Sequence, residues 1–160
     1  MLITDILIEI ATAFIGTLGF GILFNIREKK LLFAAFGGML SWLLFLLLGF
    51  GMPNEALRYF IVSICSTTYA EIFARVFKTP ATTFSIVTLI PLVPGAALYY
   101  TTAFALGGDV ELFIPKLVST IELTVALSLG IVIVSAIFGH HKKAKITRAY
   151  KDTPHKAHPL

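Results

Sequence analysis

The stretch that decides the fold is Thr79–Thr102, TPATTFSIVTLIPLVPGAALYYTT, an uncharged segment with Pro91, Pro94 and Gly95 near its middle. The uncharged run that contains it would measure about 45 Å as one straight α-helix, whereas the apolar core of a bilayer is about 30 Å thick. A helix longer than it needs to be, with two prolines at one level, indicates an interruption. The sequence therefore predicts a transmembrane helix that is broken at Pro91–Gly95.

The two prolines lack the N–H groups that would bond the carbonyls of Val87 and Ile90 in a regular helix. We therefore expect two carbonyl acceptors at membrane depth, followed by N–H donors where a second half-helix begins near Ala96. An amino-acid zwitterion has an ammonium and a carboxylate that match these groups, and broken helices recur at the substrate sites of transporters. A simple proline kink, repaired by a hydroxyl or a water, explains the same residues. The residues alone leave both readings open.

Composition places the rest of the chain in a membrane as well. Of the 160 residues, 57% are hydrophobic and 14% are charged, whereas soluble domains are about 25% charged. The positive charge that gives the net value of +4 lies in short loops and a tail. This distribution is typical of residues that set membrane topology, and it argues against nucleic-acid binding. The single cysteine, Cys65, excludes an intrachain disulfide and a Cys-based zinc site. We expect no metal site and no cofactor.

Charged residues divide the sequence into apolar runs, which predict an all-α integral membrane protein of about five transmembrane helices. We expect Asn54 to cap the third helix, Gly107–Gly108 to end the fourth, and Pro80 and Pro115 to lie in first turns. Asp5 and Glu9 stand where a signal peptide has basic residues, so we expect the first helix to be retained. The predicted helices lie near 4–26, 31–50, 56–77, 80–106 and 115–139.

The distribution of basic residues predicts the orientation. Of the 13 Lys and Arg residues, all but Arg58 and Lys116 fall in the first loop, at the third loop and the adjoining end of the third helix, or in the tail. The positive-inside rule then places the N-terminus outside and the C-terminus in the cytoplasm. We expect residues 1–140 to form the transmembrane domain, and residues 141–160 to form a basic cytoplasmic tail with a short helical extension and a disordered end. The tail either only sets topology or also binds anionic lipid headgroups.

Three charged residues inside the predicted helices are candidates for coupling or gating. Glu71 and Arg75 are spaced i, i+4, so they can pair on one helix face. That pair is either an interfacial salt bridge or part of a gate. Glu122 lies deeper in the fifth helix, where a carboxylate faces either the substrate path or a subunit contact.

The runs Glu71-Ile-Phe-Ala-Arg75, Lys78-Thr-Pro80 and Ile90-Pro-Leu-Val-Pro-Gly95, together with Gly37-Gly38 and Trp42, resemble the small membrane subunit of the threonine/serine exporter family. The resemblance implies export of small amino acids or, in some branches, of dicarboxylates such as succinate. It also implies a larger partner subunit, a hetero-oligomer and a location in the bacterial inner membrane, because the small subunit is similar to the C-terminal half of fused exporters.

Three functions follow from these observations. The first is a secondary exporter subunit, since no phosphate-cradling Gly-Lys-Ser/Thr loop is present to use ATP. The second is a non-transporting membrane scaffold, in which the break is only a packing kink. The third, an intramembrane enzyme, is poorly supported, because no predicted membrane helix contains the histidine of a Ser-His pair. For the exporter, the predicted substrate-binding residues are Pro91, Pro94, Gly95, Ala96 and Tyr99.

Overall fold

A computed structural model describes the backbone of residues 3–152 and the side chains of residues 4–139. Within these residues the chain is helical and has no strand, which confirms the all-α prediction. A 3-10 turn over Ile90–Leu92 joins the fourth and fifth helices. The helices are α1 Ile3–Leu23, α2 Lys29–Gly49, α3 Glu55–Val76, α4 Ala81–Leu89, α5 Gly95–Gly107 and α6 Val110–Asp152.

Local sequence signals set two of these boundaries as predicted. The side chain of Asn54 accepts a hydrogen bond from the backbone N–H of Leu57 at 3.0 Å, which caps α3. Gly108 ends α5 in the left-handed conformation, with φ of 72°, which glycine adopts without steric cost. Pro80 precedes α4 in an extended conformation, with ψ of 127°. It therefore lies one position before the first turn of α4, whereas the sequence predicted it within that turn.

The last helix is longer at both ends than predicted. It begins at Val110 instead of near 115, because the Asp109 carboxylate accepts from the N–H of Leu112 at 3.2 Å and caps the helix ahead of Pro115. Pro115 then lies inside the helix, where its missing N–H removes one helical hydrogen bond. The helix also continues through Asp152, whereas the sequence predicted only a short extension. Residues 142–151 are mostly Lys, Arg and Ala, which are good helix formers. The rest of the predicted tail, residues 153–160, lies outside the described residues.

Three helical segments are long and apolar enough to cross a membrane, namely Thr4–Leu23, Lys29–Gly49 and Val110–Gly139. The pair Ala81–Leu92 and Gly95–Gly107 makes a fourth if the bent pair is one span. The helix α3 has 22 residues but is more polar than these segments. The structure therefore supports three or four spans, and the fifth stays a prediction.

The polarity of α3 fits its place in the bundle, since it packs against α2, α4 and α6. Two of its hydroxyl groups bond inside the protein: Ser66 donates to Ser41 of α2 at 2.6 Å, and Ser63 donates to the carbonyl of Phe60 at 2.8 Å. The hydroxyl of Thr67 is buried without a hydrogen-bond partner among the described residues. Neighbouring helices thus shelter side chains that would be unfavourable in contact with lipid.

Small residues let the helices approach closely. A Cβ added at Gly38 of α2 would lie 2.6 Å from Cγ2 of Thr17 on α1. One added at Gly130 of α6 would lie 3.0 Å from the carbonyl oxygen of Phe60 on α3. Glycine at position 38 lets the Thr17 side chain of α1 pack on the backbone of α2, and glycine at position 130 brings the backbones of α3 and α6 close together.

A hydrophobic cluster surrounds the junction of α4 and α5. Its members come from α2, α3, α4, the 3-10 turn, α5 and α6, so all these elements hold the junction in place. The buried members are Phe45, Tyr59, Val62, Leu89, Leu92, Ala97 and Leu123.

Candidate functional site

The junction of α4 and α5 contains a 3-10 turn that supplies hydrogen-bond donors to the two carbonyls that the prolines cannot bond. The N–H of Ile90 donates to the carbonyl of Val87, and the N–H of Val93 donates to the carbonyl of Ile90 at 3.1 Å. The prediction that these two carbonyls lack donors is therefore wrong. In a 3-10 turn each carbonyl bonds an N–H three residues later instead of four, so the missing N–H groups of both prolines are bypassed.

Pro94 then redirects the chain. Val93 has ψ of 124°, the extended backbone expected before a proline. Pro94 has φ of −74° and ψ of 59°, and the N–H of Gly95 donates to the carbonyl of Val93 at 2.7 Å, which together define an inverse γ-turn. The helix axis changes direction by 63° across this break.

The start of α5 presents unbonded N–H groups. Its first hydrogen bond runs from the N–H of Leu98 to the carbonyl of Pro94 at 3.0 Å. The N–H groups of Ala96 and Ala97 precede that bond, and no side chain in the described part of the chain caps this end of the helix. An uncapped N-terminus carries partial positive charge and donors, which suit an anionic group.

These donors border a cavity of about 220 Å³, which we call the break cavity. Two side chains of opposite charge line it, Glu55 at the start of α3 and Lys116 near the start of α6. Lys116 is half-buried, and its Nζ lies 5.7 Å from the centroid of the Tyr100 ring. The full lining is Trp42, Glu55, Tyr59, Pro91, Val93, Pro94, Gly95, Ala96, Ala97, Lys116 and Leu123.

The break cavity therefore combines donors and one cation with one carboxylate. Lys116 and the start of α5 can bind a carboxylate, and Glu55 can bind an ammonium group. The cavity has the charge pattern that a zwitterion requires.

The structure brings four of the five predicted substrate-binding residues to this cavity: Pro91, Pro94, Gly95 and Ala96. It does not bring Tyr99 there. The Tyr99 side chain is 68% exposed on the outer surface of α5, where it makes an edge contact with Tyr100. Ala97 and Leu123 complete the apolar part of the wall instead.

Glu71 and Arg75 pair at the other end of α3. Their side chains lie 3.5 Å apart, and Arg75 also donates to the carbonyl of Phe138 at 3.1 Å and covers its ring. The pair thus links α3 to α6. Glu71 is about 24 Å along the helix axis from Glu55, so this pair and the break cavity are separate features.

Glu122 lies next to Leu123 of the cavity wall but points the other way. It is exposed on the outer face of α6, between the exposed side chains of Val118 and Val125. Among the residues with described side chains, no hydrogen-bond or ion-pair partner reaches it.

A second cavity, of about 340 Å³, lies between α1, α2 and the 3-10 turn, and we call it the Glu9 cavity. The indole N–H of Trp42 donates to the carboxylate of Glu9 at 3.3 Å. Trp42 and Pro91 line both cavities and so form the wall between them.

Sequence reasoning missed five charged or aromatic residues at these cavities: Glu9, Trp42, Glu55, Tyr59 and Lys116. The signal for Glu9 was available, because it lies well inside an apolar helix where a carboxylate is unfavourable. Glu55 follows a loop, and Lys116 follows Pro115. Nothing in the neighbouring sequence distinguishes either residue from the ordinary charged residues at helix ends.

The family model described as Threonine/Serine exporter, ThrE, matches residues 9–137, which cover all five of these residues and the whole break. Comparisons with curated proteins and with solved structures find no match. The match extends over most of the chain and agrees with its apolar helices. The chain therefore belongs to the threonine/serine exporter family.

Proposed function

We propose that this chain is the small membrane subunit of a secondary exporter of threonine and serine, working with a larger partner subunit in the bacterial inner membrane. The family match supports transport of this type. The observation that carries the choice of solute is the break cavity, where Glu55 and Lys116 share one space with the uncapped start of α5.

In this proposal the solute's carboxylate binds the N–H groups of Ala96 and Ala97 and the ammonium of Lys116. Its own ammonium binds Glu55. A dicarboxylate such as succinate fits less well, because one of its carboxylates would face Glu55 and be repelled.

Export is expected to depend on both subunits. The test is efflux of labelled threonine, serine and succinate from cells that carry both subunits, this chain alone, the partner alone, or neither. Loss of threonine and serine efflux when this chain is removed supports the proposal. Normal efflux by the partner alone would instead identify the chain as a scaffold, and efflux of succinate alone would identify a dicarboxylate exporter.

Glu71, Arg75 and Glu122 remain the proposed coupling or gating groups. If Glu71→Gln and Glu122→Gln variants both export with an unchanged pH profile, proton coupling through these carboxylates is excluded.

A further inference from the structure

The Glu9 cavity is not used by the exporter site proposed above. It opens on the other side of Trp42 and Pro91 from the break cavity, and Glu9 is the only charged side chain among the described residues that line it. The other lining residues are Ile8, Thr12, Ala13, Gly16, Thr17 and Ile90.

The polar side chains of this cavity offer acceptors, because their donor hydrogens are already bonded. The hydroxyl of Thr12 donates to the carbonyl of Ile8 at 2.7 Å, and that of Thr17 donates to the carbonyl of Ala13 at 2.7 Å. The only N–H of the Trp42 side chain is bonded to Glu9 at 3.3 Å. What remains for a ligand is the Glu9 carboxylate, hydroxyl lone pairs and the indole ring.

Such a surface selects a cation. Among the described residues no Lys, Arg or His lines the cavity, and Glu9 has no partner except Trp42. A carboxylate within an apolar helix is unfavourable until a positive group pairs with it, and the face of tryptophan is the best aromatic surface for a cation. Hard metal ions need about six or more oxygen ligands, whereas this cavity supplies one carboxylate beside apolar walls. An ammonium group fits these contacts better.

We propose that the Glu9 cavity binds the primary ammonium group of a small solute, with Glu9 as its ion-pair partner and Trp42 beside it. This site is separate from the break cavity. That the solute is the exported amino acid rests on the proposed function. A binding site with a carboxylate and no cation repels solutes that carry only carboxylates. The exporter would therefore have a second site that discriminates against succinate.

The chain offers a direct probe, because Trp42 is its only tryptophan. Tryptophan emission of the purified full-length chain therefore reports on this cavity and on the break cavity, which Trp42 also lines, and the part of the signal that depends on Glu9 identifies the Glu9 cavity. The chain is placed in lipid discs of phosphatidylcholine and phosphatidylglycerol, which carry no primary amine. It is then titrated with L-threonine, with the amine-only analogue 1-amino-2-propanol and with the acid-only analogue 3-hydroxybutyrate.

We expect threonine and the amine to change Trp42 emission saturably through Glu9, and the acid to cause no change that depends on Glu9. Glu9→Gln is nearly isosteric and should weaken both responses about tenfold or more, which is the scale of a lost charge-assisted hydrogen bond. Glu9→Asp keeps the charge and should retain a measurable response even if the amide variant is unstable. The matched control is Glu111→Gln, an exposed carboxylate at the start of α6 that lines neither cavity.

Several results would overturn the proposal. These are no response to the amine in the wild type, a response to the acid that Glu9→Gln weakens as much as the response to the amine, or an undiminished amine response in Glu9→Gln. Discs with phosphatidylethanolamine test the other source of an ammonium group: if that lipid alone shifts the emission and blocks threonine, the occupant is a headgroup and not a solute. Efflux measurements separate the Glu9 site from the proposed function. If cells export threonine and serine but Trp42 emission does not respond, only the Glu9 site is refuted. If Trp42 emission responds but cells export neither threonine nor serine, only the proposed identity of the exported solute is refuted.

Discussion

Lys116 is the residue that gives the break cavity a full positive charge. Backbone N–H groups at the start of α5 supply only partial charge, and they serve any anion equally well. Lys116 adds a mobile ammonium on a flexible stem, partly desolvated beside Tyr100. The cavity's preference for a carboxylate therefore depends on one side chain more than on the backbone.

Replacing Lys116 with methionine should raise the KM for threonine efflux roughly 10- to 100-fold, because a charge-assisted hydrogen bond is worth about 1.5–3 kcal/mol. The measurement is concentration-dependent efflux at matched protein levels. Lys29→Met, at the far end of α2, serves as the control and should leave the KM unchanged. An unchanged KM in the Lys116 variant would remove this residue from the site.

A substitution at Gly130 tests the packing of α3 against α6. Gly130→Ala would place a Cβ 3.0 Å from the carbonyl oxygen of Phe60 and closer still to the Ser63 hydroxyl. The helices α3 and α6 would have to separate, at a cost of about 1–3 kcal/mol. We expect a lower thermal unfolding temperature in detergent. Gly139→Ala on the same helix meets nothing within 4 Å and should be neutral or slightly stabilising.

At the scale of elements, the break divides one span into halves with different neighbours. The helix α4 packs against α2 and α3, whereas α5 packs against α6, where the hydroxyls of Thr101 and Thr120 lie 2.8 Å apart. A bend of 63° between halves held by different partners gives the cavity its opening. The cavity thus depends on the prolines and on the helix pairs at either side.

Pro94→Ala should therefore reduce export strongly while the protein still accumulates in the membrane. Alanine restores the N–H and frees φ, so the γ-turn at Pro94 is no longer imposed and the span can straighten. Efflux per unit of membrane protein is the measurement. Pro115→Ala is the matched control, because α6 is continuous through that proline, and it should export normally. Full export by Pro94→Ala would show that the bend is not needed.

Sequence chemistry predicted the features that depend on neighbouring residues. The break, the Asn54 cap and the Gly108 stop each follow from the covalent properties of one or two residues. The 3-10 repair at Ile90 and Val93 was missed, because proline chemistry says which N–H is absent but not which other N–H takes its place.

The site residues show the same division. Trp42 and Glu9 are bonded across 33 positions of sequence, and Glu55 and Lys116 line the same cavity only because α3 packs against α6. Ala97 faces the cavity where Tyr99 was expected, since two positions along a helix turn a side chain by about 200°. Such contacts are tertiary, and one sequence does not encode them locally.

At the scale of the molecule, the outer face of α6 carries a carboxylate among apolar side chains. Glu122 is exposed there among apolar side chains that are themselves about half exposed. A carboxylate facing lipid is unfavourable, which favours a covering partner.

We expect Glu122→Leu to weaken co-purification of the proposed larger subunit, because a polar group of that subunit would lose its bond to this carboxylate. The two subunits would be expressed together, extracted in mild detergent and captured through a tag on the partner. Val118→Leu, on the same exposed face, controls for the added apolar surface. Equal recovery in both variants would place Glu122 away from the subunit contact.

The orientation of the chain is tested by reporters. A C-terminal green fluorescent protein should fluoresce, and a C-terminal alkaline phosphatase should be inactive, if the tail is cytoplasmic. The opposite pattern would reverse the predicted topology and place the Asn54 end of the bundle inside the cell.

The self-contained hydrogen bonding of the 3-10 turn has a consequence for how cargo preference can change. Because the carbonyls of Val87 and Ile90 are already bonded, the two acceptors that the prolines would otherwise leave free contribute little attraction for positive charge. Recognition of a positive pole then falls to replaceable groups such as Glu55. A descendant of this protein could exchange one class of metabolite for another by altering a codon there, while its kinked scaffold stayed as it is.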